Sequence, residues 1–330
     1  MKLKNYGEYN LINGIMGWLP VNNDYERKVL VAPGDDAAVI NSPGKQLVFT
    51  TDLLFEDVHF RLDWAKSIGG KAALFEAIGY KSLAINLSDL SSMGCKSAPA
   101  PIYCLIGVGL PEDRMGIEDV NSFYKGLNFF CRKNKVYILG GDTNSSDKFT
   151  IAITLFGTID KSKIIRRSGA KSGDKIYVTG TLGDSAGGLD LLLKGKKDNT
   201  KTAKYLINRH LYPPVRINEA QEIAKYTTSM IDCSDGLVNS VNLICGMGKT
   251  GAKINLDAVP VSKHLRNYSR EPVDFALYGG EDYELIFTSK KNIPEYQCIG
   301  TIENKSNGVK YYQNGKETRI KKEKLYQHFK

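Results

Sequence analysis

A chain of 330 residues is long for one domain and predicts two. With 42% hydrophobic and 25% charged residues it has a globular composition, and no apolar run is long enough to cross a bilayer as a helix. The net charge of +9 leaves nucleic acid or a phosphorylated small molecule as partners, but much of the excess lies in dispersed lysines and in the tail "RIKKEKLYQHFK", which carries no nucleic-acid motif. That tail reads as a solvated basic end.

In chain order, "MKLKNYGEYNLINGIMGWLP" has neither a continuous hydrophobic core nor a small-residue cleavage site, so no secretory leader is expected. "KVLVAPGDDAAVI" is apolar, then Gly34-Asp35-Asp36, then apolar again. "QLVFTTDLLFEDVHF" is a β-branched and aromatic run that reads as broken at Thr51-Asp52. Apolar residues recurring at three and four predict helices at about 70–93, 115–133, 202–209 and 215–226. "KVYILGGDTN" runs into Gly140-Gly141-Asp142, and "FTIAITLFGTI" reads as a buried strand. The polar stretch "KSKIIRRSGAKSGD" then marks a boundary, giving domains 1–160 and 161–330. "DKIYVTGTLGDSAGGLDLLLKG" and "TTSMIDCSDGLVNSVNLICGMG" each read as strand, turn and helix, and "DFALYGGEDYELIFTSK" places Gly279-Gly280-Glu281-Asp282 between two strand-like runs. Strands and helices mix without regular alternation, which predicts an α+β fold over a doubly wound sheet. The six cysteines (95, 104, 131, 233, 245 and 298) form no CxxC pair, a pattern of free thiols in a reducing cytoplasm.

Each acidic loop alone has a plain explanation. Asp235 and Asp184 stand where a helix N-cap belongs, Gly-Asp-Asp suits a tight turn, and Asp89 fits a helix end. As a set they resist it: Asp36, Asp52, Asp89, Asp142 and Asp232 each sit near the end of an apolar element, with Thr50, Thr51 and Ser234 adding neutral oxygens. Clusters of carboxylate and hydroxyl oxygen suit hard cations, and Mg²⁺ in particular binds through few carboxylates plus substrate phosphates. Such ions offset the repulsion between Asp232 and Asp235 and bridge polyphosphate oxygens. Other chemistries find less support. "CGMGKT" ends like a P-loop but has Leu243 where the first glycine belongs, and the scattered histidines make neither a zinc site nor a triad. His210 and His264 read as structural, whereas His59 follows Asp52 closely enough to belong with the site.

In order and along nearly the whole chain, "GEYNLI", "GDDAAV", "TTDLLFEDVHF", "NLSDLSSMG", "GGDT", "RSGAKSGDKIYVTGTLGDSAGGL", "IDCSDGL" and "GGEDYEL" resemble the thiamine-monophosphate kinases, within the aminoimidazole-ribonucleotide synthetase superfamily. The resemblance implies two α+β domains, the N-terminal sheet pairing with that of a second subunit in a homodimer. It implies ATP-dependent phosphorylation of thiamine monophosphate to thiamine diphosphate by direct in-line transfer. By matched position, Asp36, Thr50, Thr51, Asp52, Asp89, Asp142, Asp232 and Asp235 hold Mg²⁺; Gly141, Asp142, Arg167 and Ser234 contact ATP; His59 and Glu281 contact the substrate. The family's Gly-Trp-Asp-His-Phe end is represented by Leu325-Tyr326-Gln327-His328-Phe329, which makes Tyr326 the substrate aromatic. Asp57 replaces a usual glycine, and Cys233 a usual aliphatic whose side chain points into the core.

The same acids would serve another ATP-dependent enzyme of the superfamily or a metal-dependent phosphatase. A selenophosphate synthetase would want a reactive cysteine near the N-terminus, where the first here is Cys95, and the hydrogenase-maturation enzyme ends in a cysteine, where this chain ends His-Phe-Lys. A basic nucleic-acid-binding protein would explain the charge and leave the acidic loops idle.

Overall fold

Helix α1 (Lys71–Ser92) is the spine of the molecule, buried along 17 of its 22 residues. The computed structural model describes residues 10, 28–31, 34–96, 101–195 and 198–326. A helix covered on nearly every side must carry small residues where other backbones approach. A Cβ at Gly79 would lie 2.1 Å from the Phe123 carbonyl oxygen, and one at Gly126 1.9 Å from that of Glu76. These two glycines let α2 (Ile117–Asn134) lie directly against α1.

Beneath α1 is a six-stranded sheet in the order β1 (Val29–Val31), β2 (Ala38–Ile40), β3 (Gln46–Phe55), β6 (Thr150–Ile159), β4 (Ile102–Leu110), β5 (Val136–Ser145). Neighbours are antiparallel except β4 and β5, which α2 connects as a parallel pair. The burial of β6 alternates residue by residue, so one face of the sheet meets α1 and the other is uncovered by any of the described residues. Helix periodicity at 70–93 and 115–133 is realised as α1 and α2, and "FTIAITLFGTI" becomes the central strand β6.

Two expectations fail here. Thr51-Asp52 does not break its strand: β3 runs unbroken, with Thr51 opposite Thr154 and Asp52 opposite Ile153. A long antiparallel ladder accommodates polar side chains wherever they find solvent or a site. Similarly, Gly140-Gly141-Asp142 lies inside edge strand β5, where a Cβ at Gly141 would meet the Ile106 carbonyl oxygen at 1.7 Å.

The chain then builds a seven-stranded sheet in the order β13 (Lys316–Thr318), β12 (Val309–Gln313), β9 (Thr250–Asn255), β11 (Gln297–Asn304), β7 (Lys175–Val178), β10 (Leu285–Ser289), β8 (Ser229–Asp232). It carries α3 (Asp184–Leu193), α4 (Lys201–Leu211), α5 (Ile217–Ile223), α6 (Leu237–Gly248) and α7 (Pro272–Tyr278). The protein is therefore α+β in two domains, as expected. "DFALY", read as strand-like, is helical: Pro272 stands at the first helical position, where its fixed φ starts a helix. "CGMGKT" ends α6, with Lys249 in the left-handed conformation that stops it. Among the described residues no helix is long and apolar enough to cross a membrane.

Candidate active site

The acids converge where the two domains meet. Asp36 follows β1, Asp52 lies in β3, Asp89 in the last turns of α1, and Asp232 ends β8 of the second sheet. One carboxylate oxygen each of Asp36, Asp89 and Asp232 lies within 4.8 Å of the others. Small hydroxyls on α1 and β3 orient them. Ser92 Oγ donates to Asp36 Oδ2 at 2.5 Å, Thr50 Oγ1 to Asp89 Oδ2 at 2.7 Å, and Ser88 Oγ to Asp232 Oδ2 at 2.7 Å. Arg167 leans in from the second domain. Its guanidinium donates to Asp36, through Nε at 3.0 Å and also through Nη2, while its backbone N–H meets Asp35 Oδ1 at 3.1 Å.

Among the described residues, Arg167 alone does not balance this many carboxylates. Burial, followed by Asp235, pushes Asp52 up to about 6. Burial drives Asp89 well above the carboxylate range, with Asp52, Asp232 and Asp36 adding to it, and Asp232 is raised first by burial and next by Asp36. Like charges held this close with so little counter-charge make a group that could hold a cation. The donors are all oxygen, which fits Mg²⁺ rather than a thiophilic metal, and Cys233, the nearest thiol in sequence, is turned into the core with its thiol driven up by burial.

The structure thus brings together Asp36, Thr50, Asp52, Asp89, Asp232, Asp235 and Arg167. It does not bring in Thr51 or Asp142. Strand alternation turns Thr51 to the opposite face, where its hydroxyl donates to the Ile153 carbonyl at 3.0 Å and meets Thr154 Oγ1 at 3.1 Å. Asp142 pairs with Gly107, Gly107 with Ala152 and Ala152 with exposed Leu53, so it shares that outer face. Its carboxylate accepts from the Thr143 N–H and from Asn144 Nδ2. Gly141 lies beside it on the edge strand.

Ser234 offers its carbonyl, at 2.6 Å, to the N–H of Glu281, and Glu281 sits in the left-handed region with φ 64°. His59 Nδ1 accepts the Phe55 N–H at 3.0 Å, and its field reaches Glu281. Tyr326 is 41% exposed, its carbonyl 3.5 Å from Asn239 Nδ2 on α6, the helix that Asp235 precedes. Gln327, His328, Phe329 and most of "GEYNLI" lie outside the described residues. Asp57 pairs with Lys148 at 2.9 Å and holds the left-handed conformation (φ 69°) that favours glycine.

Neither Asp235 nor Asp184 caps its helix; Gly236 and Gly183 hold those positions with no side-chain bond. The N–H groups of Gly183 and Ser185 are instead taken by the buried Asp282. Sequence reading also missed Ser88, Ser92 and Lys81. Their spacing on α1 offered the signal, since 81, 88 and 92 fall on one face with Asp89 beside them.

Residues 34–159 match the family model described as AIR synthase related protein, N-terminal domain, and residues 171–308 match the corresponding C-terminal domain. Fold and site together thus define a two-domain protein of the AIR-synthase-related type. The thiamine-monophosphate kinase of Aquifex aeolicus is 37% identical over 297 residues, 88% of each chain, and that of Buchnera aphidicola subsp. Schizaphis graminum is 37% identical over 96% of this chain and 98% of its own. A solved structure described as AaThiL complexed with AMPPCP and TMP superposes with a TM-score of 0.84 at 34% identity, covering 100% of this chain and 99% of that one. The chain belongs to the thiamine-monophosphate kinase family, a family of phosphotransferases.

Proposed function

We propose that this protein transfers the terminal phosphoryl group of ATP to thiamine monophosphate, giving thiamine diphosphate and ADP, at the acid cluster between its domains. The observation that carries the reading is the Asp36–Asp89–Asp232 group, drawn from both domains of a phosphotransferase fold and short of counter-charge. Asp36, Thr50, Asp52, Asp89, Asp232 and Asp235 would hold Mg²⁺, which would supply positive charge against the phosphates during phosphoryl transfer. Arg167 and Ser234 meet the nucleotide. His59, Glu281 and Tyr326 hold the acceptor so that its terminal phosphate oxygen attacks in line while ADP leaves from the opposite side. No residue at the cluster needs to carry the phosphoryl group, so no phosphoenzyme intervenes.

The working unit in this reading is a homodimer in the cytoplasm, with the division of the chain near residue 160. Its support is the uncovered face of the six-stranded sheet. There a row of rings (Phe49, Phe156, Tyr103, Tyr137) crosses four strands, with centroids 5.6, 5.4 and 6.4 Å apart, beside Leu53, Leu105 and Leu139. Such a patch marks an interface, and β5 leaves an open sheet edge next to it. Gly141 and Asp142 then act on the nucleotide where a second copy covers that face. The test is to supply ATP, Mg²⁺ and thiamine monophosphate and quantify products. ADP and thiamine diphosphate should form one to one and neither without the acceptor. Phosphate released from thiamine monophosphate regardless of ATP would identify a metal-dependent phosphatase instead.

A further inference from the structure

Lys81 is a lysine in the middle of a buried helix, its side chain 3% exposed. A buried ammonium is costly unless paired, and replacing a buried ion pair by apolar groups is often neutral for stability. Its Nζ lies 2.9 Å from each oxygen of Glu281, so the first domain's α1 grips by both oxygens a carboxylate belonging to the second domain. The third direction from Nζ meets His210 Nε2 at 3.3 Å. The other ring nitrogen of His210 lies 3.0 Å from Ser185 Oγ and 3.3 Å from Glu281 Oε2, and Trp64 packs edge-on against the ring at 5.5 Å.

The loop carrying Glu281 is tightly prescribed. Glu281 and Tyr283 both occupy the left-handed region, their N–H groups bonded to the Ser234 and Cys233 carbonyls, and a Cβ on Gly280 would strike the Ser234 carbonyl oxygen at 2.4 Å. Backbone strain of this kind persists where the surroundings over-determine it. A second carboxylate three residues on gives the contrast. Glu284 is sealed, with Arg209, Arg216 and Thr179 covering its oxygens and none of its side chain exposed. Glu281 is held from behind and keeps 22% of its side chain exposed, with His59 in electrostatic range.

We propose that Lys81 is a positioning residue for the acceptor end of the site: reaching across from the first domain, it fixes the Glu281 carboxylate in the orientation that receives thiamine monophosphate. The inference rests on the acceptor reading given above. Burial, the largest influence, would push Glu281 up, but Lys81, His210 and His59 together hold it below the ordinary glutamate value. His210, Ser185 and Trp64 serve as the wall behind the pair.

The test is steady-state kinetics and melting of the full chain with Lys81→Met, Lys81→Arg, Glu281→Gln and the Lys81→Met/Glu281→Gln double variant. Lys81→Met should raise KM for thiamine monophosphate about 10- to 100-fold, the worth of one charge-assisted hydrogen bond, and leave KM for ATP within about twofold. The double variant should lose no more than the worse single one, because Lys81 acts only through Glu281. If Lys81→Met does not fold, Lys81→Arg carries the test: it keeps the charge but not the compact geometry and should show the same split between substrates. An unchanged KM for thiamine monophosphate, equal losses for both substrates, or multiplied losses in the double variant would overturn the inference. A wild-type chain that makes no thiamine diphosphate sinks this inference together with the acceptor reading; an active wild type with insensitive Lys81 variants sinks this one alone.

Discussion

The two faces of the six-stranded sheet carry the same residue types to opposite ends. On the covered face Thr50 and Asp52 lie in rows with Leu155 and Ile153, under α1 and next to Asp89. On the uncovered face Thr51 lies in the row of Thr154 and Leu105, and Asp142 in the row of Leu53 and Gly107. One position along a strand separates a hydroxyl bonded to the half-buried Asp89 from one bonded to a neighbouring strand. The inner face is assembled within one chain. The outer face, with Leu105 44%, Tyr137 56% and Leu139 57% exposed, has the chemistry of a surface awaiting another.

That contrast breaks most visibly at Leu105. If the outer face joins two copies, Leu105→Glu places like charges against each other in an apolar interface at a cost of several kcal/mol. The dimer dissociation constant should then rise about 10³-fold, read as a halved mass in sedimentation. A wild-type monomer, or a variant dimer of unchanged affinity, would leave this face without its partner. At the acceptor end, Tyr326→Ala removes an aromatic face from a cationic thiazolium, so KM for thiamine monophosphate should rise by up to about 30-fold with KM for ATP barely moved. Equal losses for both substrates would return the tail to a purely structural part.

The smallest effect sharpens the inner face. The Asp52 carboxyl is pushed to about 6 by burial and then by Asp235, and Asp35 to about 6 by burial and then by Asp36. A carboxyl whose folded pKa lies above its unfolded one binds more protons folded than unfolded between about 4 and 6. Stability therefore falls as pH climbs through that window, and the cost stays in place above it. Without divalent metal, Asp52→Asn should melt higher than wild type at pH 7.5, with the advantage shrinking toward pH 5. Mg²⁺ should stabilise the wild type and leave the variant nearly unmoved. A variant that melts lower at pH 7.5 without metal would mean that Asp52 supports the fold as an anion.

How far the sequence discloses this follows from periodicity. Helices α1 and α2, the central strand and both strand–turn–helix units of the second half declare themselves by spacing, and so do the acids at element ends. Thr51 and Asp142 lie on the outer face of their own chain, because a motif match transfers a position and not a face. In β3 the parity of Thr50 and Asp52 against Thr51 was there to be read, whereas in β5 the register shift beside Gly140 hides it. Lys81 escaped for another reason. A lysine in an apolar helix reads as its exposed edge, and only the packing of a second domain onto that edge converts it into a buried pair. The capping that would have been the plain explanation of Asp184 and Asp235 falls to Gly183 and Gly236, whose turns need positive φ.

Whether the acids between the domains work or merely support is decided by Asp232→Asn, with turnover and melting temperature measured on the same preparation. If the acids work, kcat should fall by about 10²–10³-fold, the usual loss on removing one group that stabilises transferring charge, with a metal-free melting temperature no lower than that of wild type. Normal turnover with a lowered melting temperature would contradict a working role.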